Sequence, residues 1–110
     1  MKKLAKEEVL RIVRELHARL DAVYGDRLKG VYLYGSYARG DARDDSDIDV
    51  AVVLAGEVNS RQEREKIGDF VSDLCLRENC LLLTMFISES EFKEQPFSLH
   101  RNIVAEGIPA

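Results

Sequence analysis

VYLYGSYARGDARDDSDIDVAVVLA, residues 31–55, decides the fold of this chain. Residues 31–34 are β-branched, aromatic or apolar, which predicts a buried strand. Gly35 and Ser36 end that strand abruptly, as a glycine-containing turn does. After a hydrophilic loop, residues 47–54 form a second run that is almost wholly apolar. The stretch therefore predicts a strand, a tight turn, a polar loop and a second strand.

Two aspartates at the start of the second strand are its unusual feature. Aspartate is depleted in strands, and charged groups are rarely buried unless they are paired or bound to metal. Because residues i and i+2 of a strand share a face, Asp47 and Asp49 project side by side, roughly 6–7 Å apart along the strand. Ile48 and Val50 point the other way, into a core. Two parallel carboxylates beside a Gly-Ser turn can hold a divalent cation and a polyphosphate together.

Length and composition predict one soluble domain over residues 1–110. The formal net charge of −4 argues against a general affinity for nucleic acid, which requires a basic surface. No apolar run reaches the roughly 18–20 residues that span a bilayer, and the N-terminus has no signal-peptide core, so we expect a cytoplasmic protein. Cys75 and Cys80 have no histidine ligands nearby and are expected to be reduced packing residues.

The residues before the central stretch predict an amphipathic helix over residues 4–24. Apolar side chains recur there at steps of mostly three and four, and Gly25 suits the C-terminal cap. His17 is expected at the surface or at its boundary. The predicted apolar stripe consists of Leu4, Val9, Val13, Leu16, Leu20, Val23 and Tyr24.

The residues after the central stretch predict a helix followed by a strand. Ser60 with Glu63 has the spacing of a capping box, so a helix is expected to begin near residue 60 and to end at Asn79. Its expected apolar face is Ile67, Phe70, Val71, Leu74 and Cys75. Residues 80–87 are apolar on both faces, which predicts a third strand that is central or covered on both sides.

The C-terminal part predicts two short helices and a last strand. Ser88 with Glu91 is a second capping-box pattern, opening a helix that ends before Pro96. A further helix is expected over residues 97–106, and Ile108 is expected to begin a short strand. The whole order predicts a small α/β domain, with one mixed sheet of three to four strands and helices packed mainly on one face.

The central stretch resembles the nucleotidyltransferase superfamily typified by DNA polymerase beta. The superfamily signature is Gly-Ser, about ten residues, and Asp-x-Asp, and this chain has Gly35-Ser36, ten residues, and Asp47-Ile48-Asp49. The sequence is similar in particular to the minimal nucleotidyltransferases, which carry Gly-Ser-x-Ala-x-Gly and Ser-Asp-x-Asp. Residues 35–40 and 46–49 match both patterns. The resemblance implies a palm-like fold and Mg2+-dependent transfer of a nucleotide from a nucleoside triphosphate, with ATP the expected donor.

The resemblance also implies roles for individual residues. Asp47 and Asp49 would be the catalytic carboxylates and the metal ligands, since magnesium prefers oxygen ligands. The Gly35-Ser36 turn would bind the β- and γ-phosphates, because glycine allows the backbone to approach closely and a helical turn starting at Ser36 offers free N–H groups.

Two further positions complete the expected nucleotide site. Arg39 could reach triphosphate oxygens, as could Arg43, since arginine forks suit phosphate; the alternative is that these are solvated loop residues. Ser46 either orients the aspartate that follows it or completes a turn.

One departure from the superfamily pattern concerns catalysis. Active members usually carry a third carboxylate on the strand after the intervening helix, and residues 80–87 contain no Asp or Glu. Two hypotheses therefore stay open: an enzyme that transfers a nucleotide to a partner protein, and a non-catalytic nucleotide-binding or stoichiometric antitoxin module of the same fold. A third, transfer to a small molecule such as an aminoglycoside, is typical of longer proteins with an added helical domain.

The resemblance implies a partner as well. Stand-alone minimal nucleotidyltransferases resemble the antitoxin of a toxin–antitoxin system, paired with a small helical HEPN ribonuclease that is modified with AMP on a tyrosine. We therefore expect a HEPN-type partner, docked near the open side of the predicted site.

Overall fold

The computed structural model describes residues 2–110, and across them the chain forms one four-stranded mixed sheet. Strands β2 and β3 run parallel, and the other neighbouring strands run antiparallel, in the order β3-β2-β1-β4. The strands are β1 (Leu28–Tyr34), β2 (Ile48–Leu54), β3 (Leu82–Ser88) and β4 (Ile108–Pro109). The mixed sheet agrees with the predicted fold class.

The helices pack on both faces, with the two long ones on the same face. They are α1 (Lys6–Tyr24), α2 (Ser36–Arg39), α3 (Ser60–Glu78), α4 (Glu89–Glu94) and α5 (Ser98–Glu106), and a short 3₁₀ turn (Gly25–Arg27) links α1 to β1. Helices α1 and α3 bury their apolar sides against Leu33, Ile48 and Val50. The short helices α4 and α5 cover part of the opposite face, around Ala51 and Ile87. No helix in residues 2–110 is long and apolar enough to cross a membrane.

The predicted stripe of α1 is confirmed at most of its positions. Val9, Val13, Leu16, Leu20 and Tyr24 are buried, and Leu4 packs partly buried against the same core. The prediction was wrong for Val23, which is 43% exposed, because Tyr24 takes the last core position of the helix. It also missed a fully buried residue, Ile12.

The predicted capping boxes had different outcomes. Ser88 caps α4 by accepting the N–H of Glu91 at 3.1 Å, as predicted. The capping box at Ser60 was wrong, because the N-cap of α3 is Asn59, whose side chain accepts the N–H of Gln62 at 3.2 Å. Glu63 is consequently free to turn inward, where it is only 3% exposed.

Strand β3 was correctly predicted as a strand but wrongly as a central or fully covered one. It lies at an edge of the sheet, paired with β2 alone among the described residues. Its apolar residues do face both layers, since Leu82 and Phe86 join the larger core while Met85 packs beneath α4 and α5. Those short helices cover only the C-terminal half of the strand, and Leu83 remains 44% exposed.

The cysteines are free thiols, as predicted. Cys75 lies at the C-terminal end of α3, where its Sγ accepts the N–H of Leu82 at 3.3 Å. Burial, reinforced by the neighbouring Cys75, raises the pKa of the Cys80 thiol to about 11. Cys80 therefore stays protonated at neutral pH, and both cysteines pack against the main core.

Candidate functional site

The turn between β1 and α2 has a backbone that only glycine adopts easily. Gly35 has φ 76° and ψ −155°, a region of conformational space that is essentially restricted to glycine. This conformation ends β1 and starts α2 at Ser36, so the helical turn predicted there is present. Tyr37 anchors α2 from beneath: it is 5% exposed, and its hydroxyl accepts the N–H of Leu4 at 3.2 Å.

Asp49 packs directly against this glycine. The register of β1 and β2 places Asp49 beside Tyr34, the residue that precedes the turn. A Cβ atom at Gly35 would overlap the Asp49 carboxylate and lie 3.1 Å from its Cγ. The missing side chain of Gly35 therefore makes the space that the Asp49 carboxylate fills.

Asp49 is the second residue of β2, and Asp47 lies just before the strand, which begins one residue later than predicted. The side chain of Asp49 leaves the sheet on the face opposite the main core. Ile48 and Val50 are 1% and 0% exposed, whereas Asp47 and Asp49 are half-buried. The pKa of the Asp49 carboxyl is raised above its ordinary value, mainly by burial and to a smaller extent by the negative charge of Asp47. The positive charge of Arg39 partly opposes this increase. A half-buried pair of repelling carboxylates fits a divalent cation, which removes the repulsion and takes oxygen ligands.

Of the other predicted site residues, Arg39 lies close to the site, and Ser46 forms hydrogen bonds within a turn. Arg39 is the last residue of α2, and its Nε lies 3.3 Å from Asp41 Oδ2 while its Nη1 lies 3.5 Å from Glu106 Oε1. The Ser46 hydroxyl accepts the N–H of Arg43 at 2.8 Å, and the Ser46 N–H donates to the Arg43 carbonyl at 3.0 Å. Of the two open readings of Ser46, the structure shows the completed turn. Arg43 itself is exposed.

The position beside Asp49 on β3 is taken by Leu83. Its Cα pairs with that of Asp49, so the two side chains leave the sheet on the same face. Within residues 2–110 there is no group of three or more His, Cys, Asp or Glu side chains arranged to hold a metal ion. The site thus offers two carboxylates and an exposed leucine where a third could stand.

Tyr34 borders the site and was missed by sequence reasoning. Its hydroxyl lies 3.9 Å from the Met85 Sδ, so its ring crosses the sheet face next to Asp49. Burial, followed by the charge of Asp49, raises the pKa of this phenol. The two-residue period of β1 could have found it, since Tyr34 has the parity that faces away from the main core.

A separate groove of about 1100 Å³ lies at the other end of the sheet, beyond the C-terminal ends of β2 and β3. Three of the charged residues that line it, Arg27, Glu63 and Lys66, form one cluster. Glu63 accepts hydrogen bonds from the Tyr24 hydroxyl at 3.0 Å and from Arg27 at 3.1 Å, and it pairs with Lys66 at 3.3 Å. Burial raises the pKa of Glu63, but these three partners outweigh burial and lower the pKa overall. This cluster joins α1, the 3₁₀ turn and α3 and serves packing.

Comparison with known proteins gives a family and a fold. The profile of the family described as "Nucleotidyltransferase domain" matches residues 6–109. Two relatives from Methanocaldococcus jannaschii carry the name "Putative protein adenylyltransferase". One is 36% identical over 100 residues, covering 86% of this chain and 90% of the relative. The other is 35% identical over 75 residues, covering 68% of this chain and 75% of the relative.

Solved structures share the fold at lower identity. A "putative nucleotidyltransferase" from Sulfolobus solfataricus has a TM-score of 0.64 and 24% identity, covering 99% of this chain and 89% of its own. A chain from a toxin–antitoxin structure with AMP-PNP has a TM-score of 0.58 and 19% identity, covering 96% and 72%. A chain of the toxin–antitoxin pair MntA-HepT has a TM-score of 0.54 and 16% identity, covering 90% and 69%.

Proposed function

The chain belongs to the nucleotidyltransferase domain family, and from this premise we propose that it is a Mg2+-dependent protein adenylyltransferase that transfers AMP from ATP to a partner protein. One observation carries the proposal: the Asp49 carboxylate fills the space left by Gly35, beside Asp47 and at the first turn of α2. Two carboxylates and a phosphate-binding turn are thereby held at one point. This is the arrangement that nucleotidyl transfer needs, since the protein's task is positioning and charge neutralisation.

Asp47 and Asp49 are the residues that would hold Mg2+. The raised pKa of Asp49, caused by burial and then by Asp47, reflects a carboxylate that lacks a full counter-charge. When bound, the ion would supply that charge and neutralise phosphate oxygens of the nucleotide.

The other residues of the site would bind the triphosphate. The N–H groups of Ala38 and Arg39 donate to the Gly35 carbonyl at 3.1 and 3.0 Å. Those of Ser36 and Tyr37, at the start of α2, would therefore face the phosphate oxygens together with the Ser36 hydroxyl. Arg39 would add a guanidinium whose charge already acts on Asp49 by lowering its pKa against the effect of burial. With the triphosphate so held, an acceptor hydroxyl oxygen forms a bond to the α-phosphorus, the bond to the bridging oxygen of the β-phosphate breaks, and pyrophosphate leaves.

We also propose that the acceptor belongs to a small helical HEPN-type partner, for which this chain is the cytoplasmic antitoxin. The toxin–antitoxin structures with this fold, one of them with AMP-PNP, support this view. The net charge of −4 suits a basic, RNA-cleaving partner, because complementary charge steers encounter. Such a partner would dock near the open side of Gly35 and Asp49, and it could supply the group that removes the acceptor proton.

A specific observation favours a second candidate, a non-catalytic nucleotide-binding or stoichiometric antitoxin module. Leu83 stands beside Asp49 where a third carboxylate could be, so β3 places no carboxylate there to remove the acceptor proton. In that case binding of nucleotide and partner would persist without transfer.

The test combines nucleotide binding with a search for a modified partner. Calorimetric titration with ATP and magnesium should show binding by the wild type and none by Asp47→Ala. Asp69→Ala is the matched control, since Asp69 is an exposed carboxylate on α3. Proteins that co-purify from the native cell are then incubated with ATP and magnesium, and transfer should add about 329 Da, one AMP, to the partner.

The outcomes separate the two candidates. Transfer by the wild type that is lost in Asp49→Asn supports the adenylyltransferase. Nucleotide binding and partner recovery without any mass increase support the non-catalytic module. A wild type that binds no nucleotide, or Asp47→Ala with unchanged affinity, contradicts the assignment of the site.

A further inference from the structure

We propose that Glu106 is a positioning residue of the nucleotide site: together with Asp41 it holds the Arg39 guanidinium in the orientation that meets the triphosphate. The inference rests on the proposed function. Glu106 is the last residue of α5 and lies 67 residues from Arg39 in the sequence, so nothing in the signature motif points to it.

Two of the three guanidinium nitrogens of Arg39 form ion pairs, and the third does not take part in them. Nε of Arg39 lies 3.3 Å from Asp41 Oδ2, and Nη1 lies 3.5 Å from Glu106 Oε1. An arginine carries five N–H donors in a rigid fork, so the two on Nη2 remain uncommitted by these ion pairs. The Arg39 N–H donates to the Gly35 carbonyl at 3.0 Å, so Arg39 starts one turn from the glycine that packs against Asp49. Its positive charge is close enough to lower the pKa of Asp49 against the effect of burial.

The position of Glu106 is itself fixed by the fold. Ile103, one turn earlier on α5, is fully buried. The N–H of Gly107 donates to the Ile103 carbonyl at 2.7 Å, and the chain then enters β4, which pairs with Leu33 on β1. Strand β1 leads directly into the Gly35 turn. The segment after Glu106 thus pairs with the strand that leads into the Gly35 turn, and the helical turn before it packs on the sheet at Ala51 and Ile87.

A half-exposed ion pair of this kind contributes little to folding stability. The side chains of Arg39 and Glu106 are 46% and 31% exposed. The ion pair is expected to affect nucleotide binding instead. An unpaired arginine loses rotamer freedom when it binds a phosphate, and an arginine already held by an ion pair loses less. The long-range effect of the Glu106 charge has the opposite sign, since a carboxylate repels a triphosphate. Weaker binding after neutralising Glu106 would therefore not be a net-charge effect.

The experiment measures Mg2+-ATP affinity by calorimetry in four proteins: wild type, Glu106→Gln, Arg39→Ala and the double variant. Glu106→Gln should weaken binding about two- to fivefold, the range of one solvent-exposed ion pair. In the Arg39→Ala background the same change should have no further effect, because Glu106 acts through Arg39. In a transfer assay Glu106→Gln should raise KM and leave kcat unchanged.

Glu65→Gln is the matched control, since it makes the same charge change in an ion pair with Arg61 on α3 at 3.6 Å. It should bind as the wild type does. If Glu106→Gln binds Mg2+-ATP with wild-type affinity, or loses the same affinity with and without Arg39, the positioning role is overturned and the proposed function is not. A wild type that binds no Mg2+-ATP would overturn the proposed function and this inference with it.

Discussion

Gly35→Ala tests the feature on which the site depends, the packing of Asp49 against a position without a side chain. Gly35 has φ 76° and ψ −155°, and the added Cβ would overlap the Asp49 carboxylate. The substitution therefore imposes backbone strain and displaces Asp49, and the two effects can be separated.

The magnitude follows from these two terms. A non-glycine residue in this backbone region costs about 1–3 kcal/mol, and forcing the Asp49 side chain off its rotamer costs about 0.5–1.5 kcal/mol. Gly35→Ala should therefore lower the free energy of unfolding by about 2–4 kcal/mol. In an Asp49→Ala background only the strain remains, so the double-mutant cycle should show a coupling of about 0.5–1.5 kcal/mol.

The assay is urea unfolding followed by far-UV circular dichroism, because the chain has no tryptophan to report by fluorescence. Gly40→Ala is the control: Gly40 also has a positive φ, 89°, but a Cβ there would meet nothing within 4 Å. It should cost about 1–2 kcal/mol with no coupling to Asp49. Unchanged stability in Gly35→Ala, or the same loss with and without the Asp49 carboxylate, would refute the reasoning.

Three further predictions address the charges and the strand edge. The raised pKa of Asp49 means that ionisation of its carboxyl disfavours the folded state. The stability that the protonated carboxyl contributes is complete below the ordinary pKa of 3.8 and is lost as the pH rises through the raised pKa of the folded protein. As the pH is raised from 3.5 to 7, the free energy of unfolding of Asp49→Asn should therefore increase relative to that of the wild type. A difference between their urea midpoints that shrinks over this range would contradict the prediction. Glu63→Ala should cost about 2–3 kcal/mol in thermal unfolding, because it leaves the buried Tyr24 hydroxyl without its acceptor and Arg27 without a carboxylate, whereas Glu65→Ala should stay within about 0.5 kcal/mol. Leu83→Asp should tighten Mg2+-dependent ATP binding in calorimetry by adding a carboxylate beside Asp49, and weaker binding would show that the two side chains do not converge.

Much of the fold was predictable because its signals are local. The stripe of α1 reflects which side of one helix is buried, and such a period is set by backbone geometry over a few residues. The Gly35 turn and the pair Asp47 and Asp49 were visible for the same reason, since short spacings fix which side chains share a face. Their convergence on one point follows from the antiparallel pairing of β1 and β2, which brings both ends of the connection of residues 35–47 together.

Other features required the tertiary structure. Ser60 and Glu63 have the spacing of a capping box, yet Asn59 caps α3 and Glu63 turns inward to Arg27, because a buried ion pair with a distant element is open to it. An apolar strand such as β3 can be central or at an edge, and only the strand order decides which.

The sequence by itself determined that two carboxylates and a Gly-Ser turn share one end of a sheet. It did not determine what surrounds them. Leu83 faces Asp49 because of the parallel register of β3 on β2, and Glu106 reaches Arg39 because α5 returns over the sheet to place β4 beside β1. These pairs are far apart in the chain, and their contact depends on how whole elements pack, which no local pattern encodes.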